Sequence, residues 1–277
     1  MTDLFKSGYA SIVGRPNVGK STLINCLMAK KVAVTSNRPQ TTRNKITGVL
    51  HLPGAQIILL DTPGIHQSDR TLNEMMVRAS VSTFSDVDLL LVMLSAESGF
   101  CVEDEFVLNS MRGVKTKKVL VINKVDLVDK SNLLILMDEM NQKSLFEEII
   151  PISALKEDGL NQLKSLIINY LPEGPEYFPK DMDTDCPETF LFGELIREKI
   201  LKLTRFEIPH SVAVVVEDMY EQNNGVVQID ATIYAEKDSQ KKILIGERGS
   251  MLKNIGRQAR QDIEKRIGAK IFLKLFV

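Results

Sequence analysis

Cysteine is scarce in this chain. Its three residues, Cys26, Cys101 and Cys186, are far apart and in no metal-ligand spacing. That excludes a disulfide framework and a cysteine-built zinc site, and reads as buried or incidental thiols in a reducing compartment. Long apolar runs are missing too. The longest, Leu89–Leu94, is far below membrane-spanning length, and the opening MTDLFKSGYASIVG holds no run long enough for a signal peptide. A cytoplasmic protein is expected. Charge of one sign is also lacking: the net charge is −1, so the overall balance names no partner. No internal repeat or low-complexity tract is visible. What remains is an ordinary globular composition, 44% hydrophobic and 26% charged, in 277 residues, enough for one large domain or two modest ones.

The organising stretch is Gly14-Arg15-Pro16-Asn17-Val18-Gly19-Lys20-Ser21, which fits the phosphate-binding pattern G-x-x-x-x-G-K-[ST] and is followed by Thr22. Tyr9–Val13 before it reads as a buried strand. Ser21–Lys30 after it spaces Leu23, Leu27 and Met28 as a helix does. Loop amides and a helix N-terminus converge on a phosphate in this setting. Lys20 is expected at the β- and γ-phosphates, and the Ser21 hydroxyl on Mg²⁺.

Residues 1–172 alternate strand-like and helix-like segments. Apolar runs such as Leu89–Leu94 and Val119–Ile122 lack strict alternation, which suits strands covered on both faces of a mostly parallel sheet. Thr47–Leu52 and Ala55–Leu60, separated by Pro53-Gly54, read as a hairpin, making one edge strand antiparallel and the sheet mixed. The expected class is α/β, doubly wound, for 1–172. Residues 173–187, with Pro175, Pro179 and Pro187 among acidic residues, read as a semi-rigid linker. Residues 188–277 read as a smaller α+β unit in the order helix, strand, strand, helix, strand. There Lys241–Ile245 is taken as a short apolar segment before a turn.

Three further motifs each follow a predicted strand. Asp61-Thr62-Pro63-Gly64 offers a carboxylate for Mg²⁺ and an amide, that of Gly64, for the γ-phosphate. Asn123-Lys124-Val125-Asp126 offers the Asp126 carboxylate, which accepts both N–H groups of a guanine edge. Ser153-Ala154-Leu155 offers a backbone N–H to the guanine carbonyl. Four motifs in this order point to GTP and GDP, as in the small-GTPase class of P-loop proteins. A first-switch threonine that ligates Mg²⁺ is expected within 39–43, with Thr42 favoured and Thr41 an alternative. Ile65, next to the Asp-x-x-Gly stretch, cannot orient the attacking water, and His66 is either a base or an incidental loop residue. Hydrolysis is therefore expected to be slow. Asn17 can offer a carbonyl oxygen to a K⁺ ion that neutralises charge in the transition state, and a rate unchanged when K⁺ replaces Na⁺ argues against this. The catalytic set is accordingly Asn17, Lys20, Thr42 and Gly64, and the metal set Ser21, Thr42 and Asp61.

The C-terminal stretch 237–277 is basic, with eleven Lys/Arg against four Asp/Glu. It contains Gly246-Glu247-Arg248-Gly249 entering a basic helix. A G-x-x-G loop of this kind clamps about four single-stranded nucleotides in KH domains. Ile245, Gly246, Glu247, Arg248, Gly249, Met251, Leu252 and Lys253 form the expected RNA-binding set, with Ile245, Leu252 and Ile255 as an apolar floor for bases.

Taken together, GRPNVGKST (14–22), PQTTR (39–43), DTPGIH (61–66), NKVD (123–126), SAL (153–155) and IGERGSMLKNIG (245–256) resemble the Era family of bacterial GTPases over nearly the whole chain. The resemblance implies a GTPase domain followed by a type II KH domain. It also implies Mg²⁺-dependent GTP hydrolysis at a slow rate, and binding of the 3′ end of small-subunit (16S) rRNA during maturation of the 30S subunit. A monomer is expected, cytoplasmic and in part peripheral on the inner membrane. Family members usually continue past the last strand with a short basic segment, so a chain ending at Val277 is expected to grip RNA less firmly.

Overall fold

The structure is a computed structural model that describes residues 4–33, 46–61, 84–204, 212–223 and 225–277. These fall into two compact units that divide at Asp185/Cys186. In the first, β1 (Lys6–Val13) leads through the phosphate-binding loop into α1 (Lys20–Met28). The hairpin β2 (Ile46–Leu52) and β3 (Ala55–Asp61) follows. Then come β4 (Leu89–Ser95), α2 (Val102–Ser110), β5 (Lys117–Asn123), α3 (Lys130–Gln142), β6 (Glu148–Pro151) and α4 (Leu160–Tyr170). The six strands form one sheet in the order β2-β3-β1-β4-β5-β6. Only the β2–β3 pair among them is antiparallel.

Strands β3 and β4 are buried at every position. Apolar side chains on both faces are thus withdrawn from water, which explains the unbroken apolar runs. Because β3 and β4 flank β1 on opposite sides, the chain order reverses at β1. This is where a crevice opens at the carboxyl ends of the strands, and the phosphate-binding loop lies there.

The segment read as a linker, 173–187, is divided. Residues 173–185 lie with the first unit as a strap along the outer edge of the sheet. Gln56, fully buried, accepts from the backbone N–H of Tyr177 (2.8 Å) and Phe178 (3.1 Å) and donates to the Phe178 carbonyl (2.8 Å). Further on, the Val49 N–H donates to the Asp183 carbonyl at 2.8 Å, and the Thr184 hydroxyl donates to the Thr47 carbonyl at 2.6 Å. The strap satisfies backbone groups that an edge strand otherwise leaves to water.

The second unit comprises α5 (Glu188–Leu203), β7 (Val212–Glu221), β8 (Val227–Ala235), α6 (Asp238–Ile245), α7 (Ser250–Ile267) and β9 (Ile271–Phe276). Its sheet runs β7-β8-β9, with β7 antiparallel and β9 parallel to β8. One sheet face packs on the three helices, with Ile196, Ile229, Ala231, Ile255 and Ile263 fully buried. The sequence reading of Lys241–Ile245 as a plain apolar segment is corrected: it is the end of helix α6. Gln240 starts this helix by accepting from the N–H groups of Glu236 (3.1 Å) and Lys237 (3.2 Å), and Gly246 ends it at φ +73°. Among the described residues, no helix is long and apolar enough to cross a membrane.

Candidate nucleotide and nucleic-acid sites

The nucleotide motifs meet at one end of the sheet. Gly19 has φ +105°, and a Cβ there would lie 2.4 Å from Asn123 Nδ2. Only glycine fits both the backbone shape and the space. Asn123 itself is buried and braces three loops. Its Nδ2 donates to the Val18 carbonyl at 2.8 Å, and its Oδ1 accepts from the Ala154 N–H at 2.9 Å. The first, third and fourth motifs are thus held by one amide side chain, a role that the pattern Asn-Lys-x-Asp does not announce.

Lys20 is buried and donates to the carbonyls of Gly14 and Arg15, both at 3.0 Å. Burial lowers its pKa from 10.5 to about 8, opposed by the Asp61 carboxylate and reinforced by Arg15. Asp61 ends β3 beside β1 and is fully buried. Its Oδ2 accepts from the Ser21 hydroxyl at 2.9 Å. A hydroxyl and a carboxylate side by side, next to a phosphate-binding loop, are the hard oxygen donors that Mg²⁺ takes alongside phosphate and water. Val18 turns its side chain into the core, so only its backbone faces the loop. Arg15 and Pro16 are half-buried, Thr22 is half-buried on α1, and Asn17 is exposed in a left-handed conformation at φ +66°.

On the base side, the Ser153 hydroxyl donates to Asp126 Oδ1 at 2.6 Å and also accepts from the Lys156 N–H at 3.2 Å. The Asp126 carboxylate is exposed and held in one orientation. Lys124 adopts a left-handed conformation, Val125 donates its N–H to the Ile152 carbonyl at 3.2 Å, and Leu155 is 77% exposed. Thr41, Thr42, Thr62, Pro63, Gly64, Ile65 and His66 lie outside the described residues.

In the second unit the G-x-x-G loop is a single turn, Glu247–Gly249, between α6 and α7. A Cβ on Gly246 would lie 2.7 Å from Met251 Cβ, whereas one on Gly249 would enter open space. Beside this turn a cleft of about 760 Å³ runs between α7 and β9. Of the expected set, Gly249, Leu252 and Lys253 line it. Ile245, Gly246, Glu247, Arg248 and Met251 lie around the turn instead. Ile255 is corrected: it is fully buried in the core and offers nothing to a ligand. The cleft also takes in Asn254, Arg257, Arg260, Phe272 and Leu275, which sequence reasoning missed. The spacing Lys253, Arg257, Arg260 on one helix face was the available signal.

Comparison with known proteins agrees with this layout. A family model described as 50S ribosome-binding GTPase matches residues 9–124, and one described as KH domain matches 207–276. GTPase Era of Geotalea daltonii is 48% identical over 273 residues, covering 99% of this chain and 92% of that protein. The chain belongs to the Era family of GTPases. Era of Geobacter sp. strain M21 is 50% identical over the same shares. Among solved structures, Era in complex with MgGDPNP and nucleotides 1506–1542 of 16S ribosomal RNA has a TM-score of 0.95 at 40% identity, covering 99% of this chain and 93% of that one. An Aquifex aeolicus Era variant bound to GDP and AlF₄⁻ has a TM-score of 0.94 at the same identity and coverage. Like other Era GTPases, this one hydrolyses GTP with a P-loop domain and carries a C-terminal KH domain.

Proposed function

We propose that this GTPase clamps the single-stranded 3′ end of 16S rRNA in the α7–β9 cleft and assists maturation of the 30S subunit. The observation that carries the reading is the cleft itself. It pairs a basic helix face (Lys253, Arg257, Arg260) with an apolar strand (Phe272, Leu275), beside a glycine turn. Cations neutralise phosphates, and the apolar wall receives unstacked bases. The relative bound to nucleotides 1506–1542 of 16S rRNA supports the choice of RNA. An RNA matching that 3′ end is expected to bind the chain at least tenfold more tightly than a scrambled one at fixed salt. Equal affinities overturn the choice.

In the nucleotide site, Lys20, resting on the Gly14 and Arg15 carbonyls, has a further N–H to donate to the phosphates, and Ser21 and Asp61 would hold Mg²⁺. Mg²⁺ neutralises charge on the phosphate oxygens when bound. The sign of the pH dependence follows from the lowered pKa of Lys20. Below about 8 the ammonium is charged and binds phosphate, whereas above it the free protein loses that charge before binding. GDP affinity is therefore expected to fall about fourfold between pH 7 and 8.5. The drop disappears in Lys20→Arg, whose guanidinium does not titrate in this range. A flat profile in the parent protein contradicts the assignment.

Nucleotide state reaches RNA, in this reading, through the strap. The strap is anchored along the β2–β3 hairpin, whose ends at Ile46 and Asp61 adjoin the two stretches expected to sense the γ-phosphate. It continues into α5, the first element of the KH unit.

A further inference from the structure

The stretch from the end of β4 through the first turn of α2 carries none of the nucleotide motifs, yet it grips two of them. In the phosphate-binding loop, Arg15 Nε donates to Asp104 Oδ1 at 3.1 Å, and Arg15 Nη2 donates to the Ser98 hydroxyl. Asp104 is only 1% exposed. Its second oxygen accepts from the Cys101 N–H at 3.2 Å and from the Cys101 thiol at 3.0 Å, which ties the carboxylate to the first turn of α2. On the base side, Lys124 Nζ donates to Glu97 Oε2 at 2.9 Å.

We propose that Asp104 is a positioning residue for the nucleotide phosphates. Its carboxylate fixes the Arg15 guanidinium, and the peptide of Arg15 carries the carbonyl on which the Lys20 ammonium rests at 3.0 Å. The loop is thus ordered before nucleotide arrives. Without the tether, binding must supply that order itself and affinity drops. Glu97 and Lys124 are both substantially exposed, so their pair contributes little, and the weight falls on the buried carboxylate. The alternative is an ion pair that merely caps α2. Such a pair would alter stability without distinguishing ligands that differ only in their phosphates.

GDP and GMP make that distinction, because GMP lacks the β-phosphate. The test uses the full chain and competition of each nucleotide against fluorescent N-methylanthraniloyl-GDP. Asp104→Asn keeps the shape of the side chain and removes its charge. It is expected to weaken GDP about tenfold and leave GMP unchanged. Arg15→Gln should do the same, with the double variant no weaker than either single one. An unchanged GDP:GMP ratio, or additive losses, overturns the proposal. Should Asp104→Asn fail to fold, Arg15→Gln decides alone, since it removes the same ion pair from the side of the phosphate-binding loop. A GDP:GMP ratio at least twofold lower supports the proposal, and an unchanged ratio overturns it.

Discussion

Asp126→Asn is expected to exchange the base preference of this GTPase from guanine to xanthine. The parent carboxylate accepts two N–H groups from guanine. Its orientation is set by the Ser153 hydroxyl, which donates to Oδ1 at 2.6 Å. In the variant the amide oxygen takes the place that accepts from Ser153, so the NH₂ group faces the base. That NH₂ opposes the guanine amino group, donor against donor, and pairs with the carbonyl that xanthine carries there. A site built around hydrogen bonds rejects a mismatched partner strongly, so GTP affinity should fall roughly a thousandfold or more. XTP should bind and be hydrolysed in its place. Competition of both nucleotides against a labelled analogue reads the exchange. A variant that still prefers GTP places the base elsewhere. Removal of the Ser153 hydroxyl should blunt discrimination without inverting it.

Gly249→Asp is expected to weaken RNA binding sharply and leave GTP hydrolysis intact. Gly249 lines the cleft, and a Cβ there meets nothing within 4 Å. Its φ of +78° is one that aspartate tolerates better than most residues. The variant should therefore fold, with a negative charge where a phosphate is expected. A fall in RNA affinity on the order of a hundredfold is expected from an added repulsion and a lost close approach. Gly246 is the less informative position. A side chain there collides with Met251, so loss of binding would reflect a displaced helix α7 as much as a lost contact. Turnover of GTP by Gly249→Asp, measured without RNA, should match the parent. RNA binding that survives this variant would move the clamp away from the α7–β9 cleft.

The nucleotide motifs were legible because each needs fixed residue types at fixed spacing, and each follows a short stretch of mainly apolar residues. What stayed hidden depends on contacts far apart in sequence. Asn123 reads as part of a base-recognition motif, but its side chain bridges Val18 and Ala154. Proline spacing does suggest a stiff segment at 173–187. It cannot show that Gln56, more than a hundred residues earlier, anchors that segment to the sheet. Helix α5 misleads in another way. Arg197, Glu198 and Lys199 are three consecutive charged residues, yet all three are buried. Arg197 pairs with Glu194, Lys199 with Asp262 of α7, and Lys202 with Glu198, and such pairing is what lets charge enter a core. Ile255 shows the converse. Its place after the G-x-x-G loop suggests a ligand contact, but the helical period turns it into the core and brings Asn254 and Arg257 to the cleft instead.

The central claim is that nucleotide state and RNA binding are coupled in one chain. It is tested most directly by the affinity for the 16S 3′-end RNA, measured at one salt concentration with a non-hydrolysable GTP analogue, with GDP and without nucleotide. The account predicts affinities that differ by at least fivefold between the analogue and GDP, with the RNA shifting nucleotide affinity by the same factor, as linkage requires. Equal RNA affinities in all three states would contradict it, leaving a GTPase and an RNA clamp that share a chain but not a mechanism.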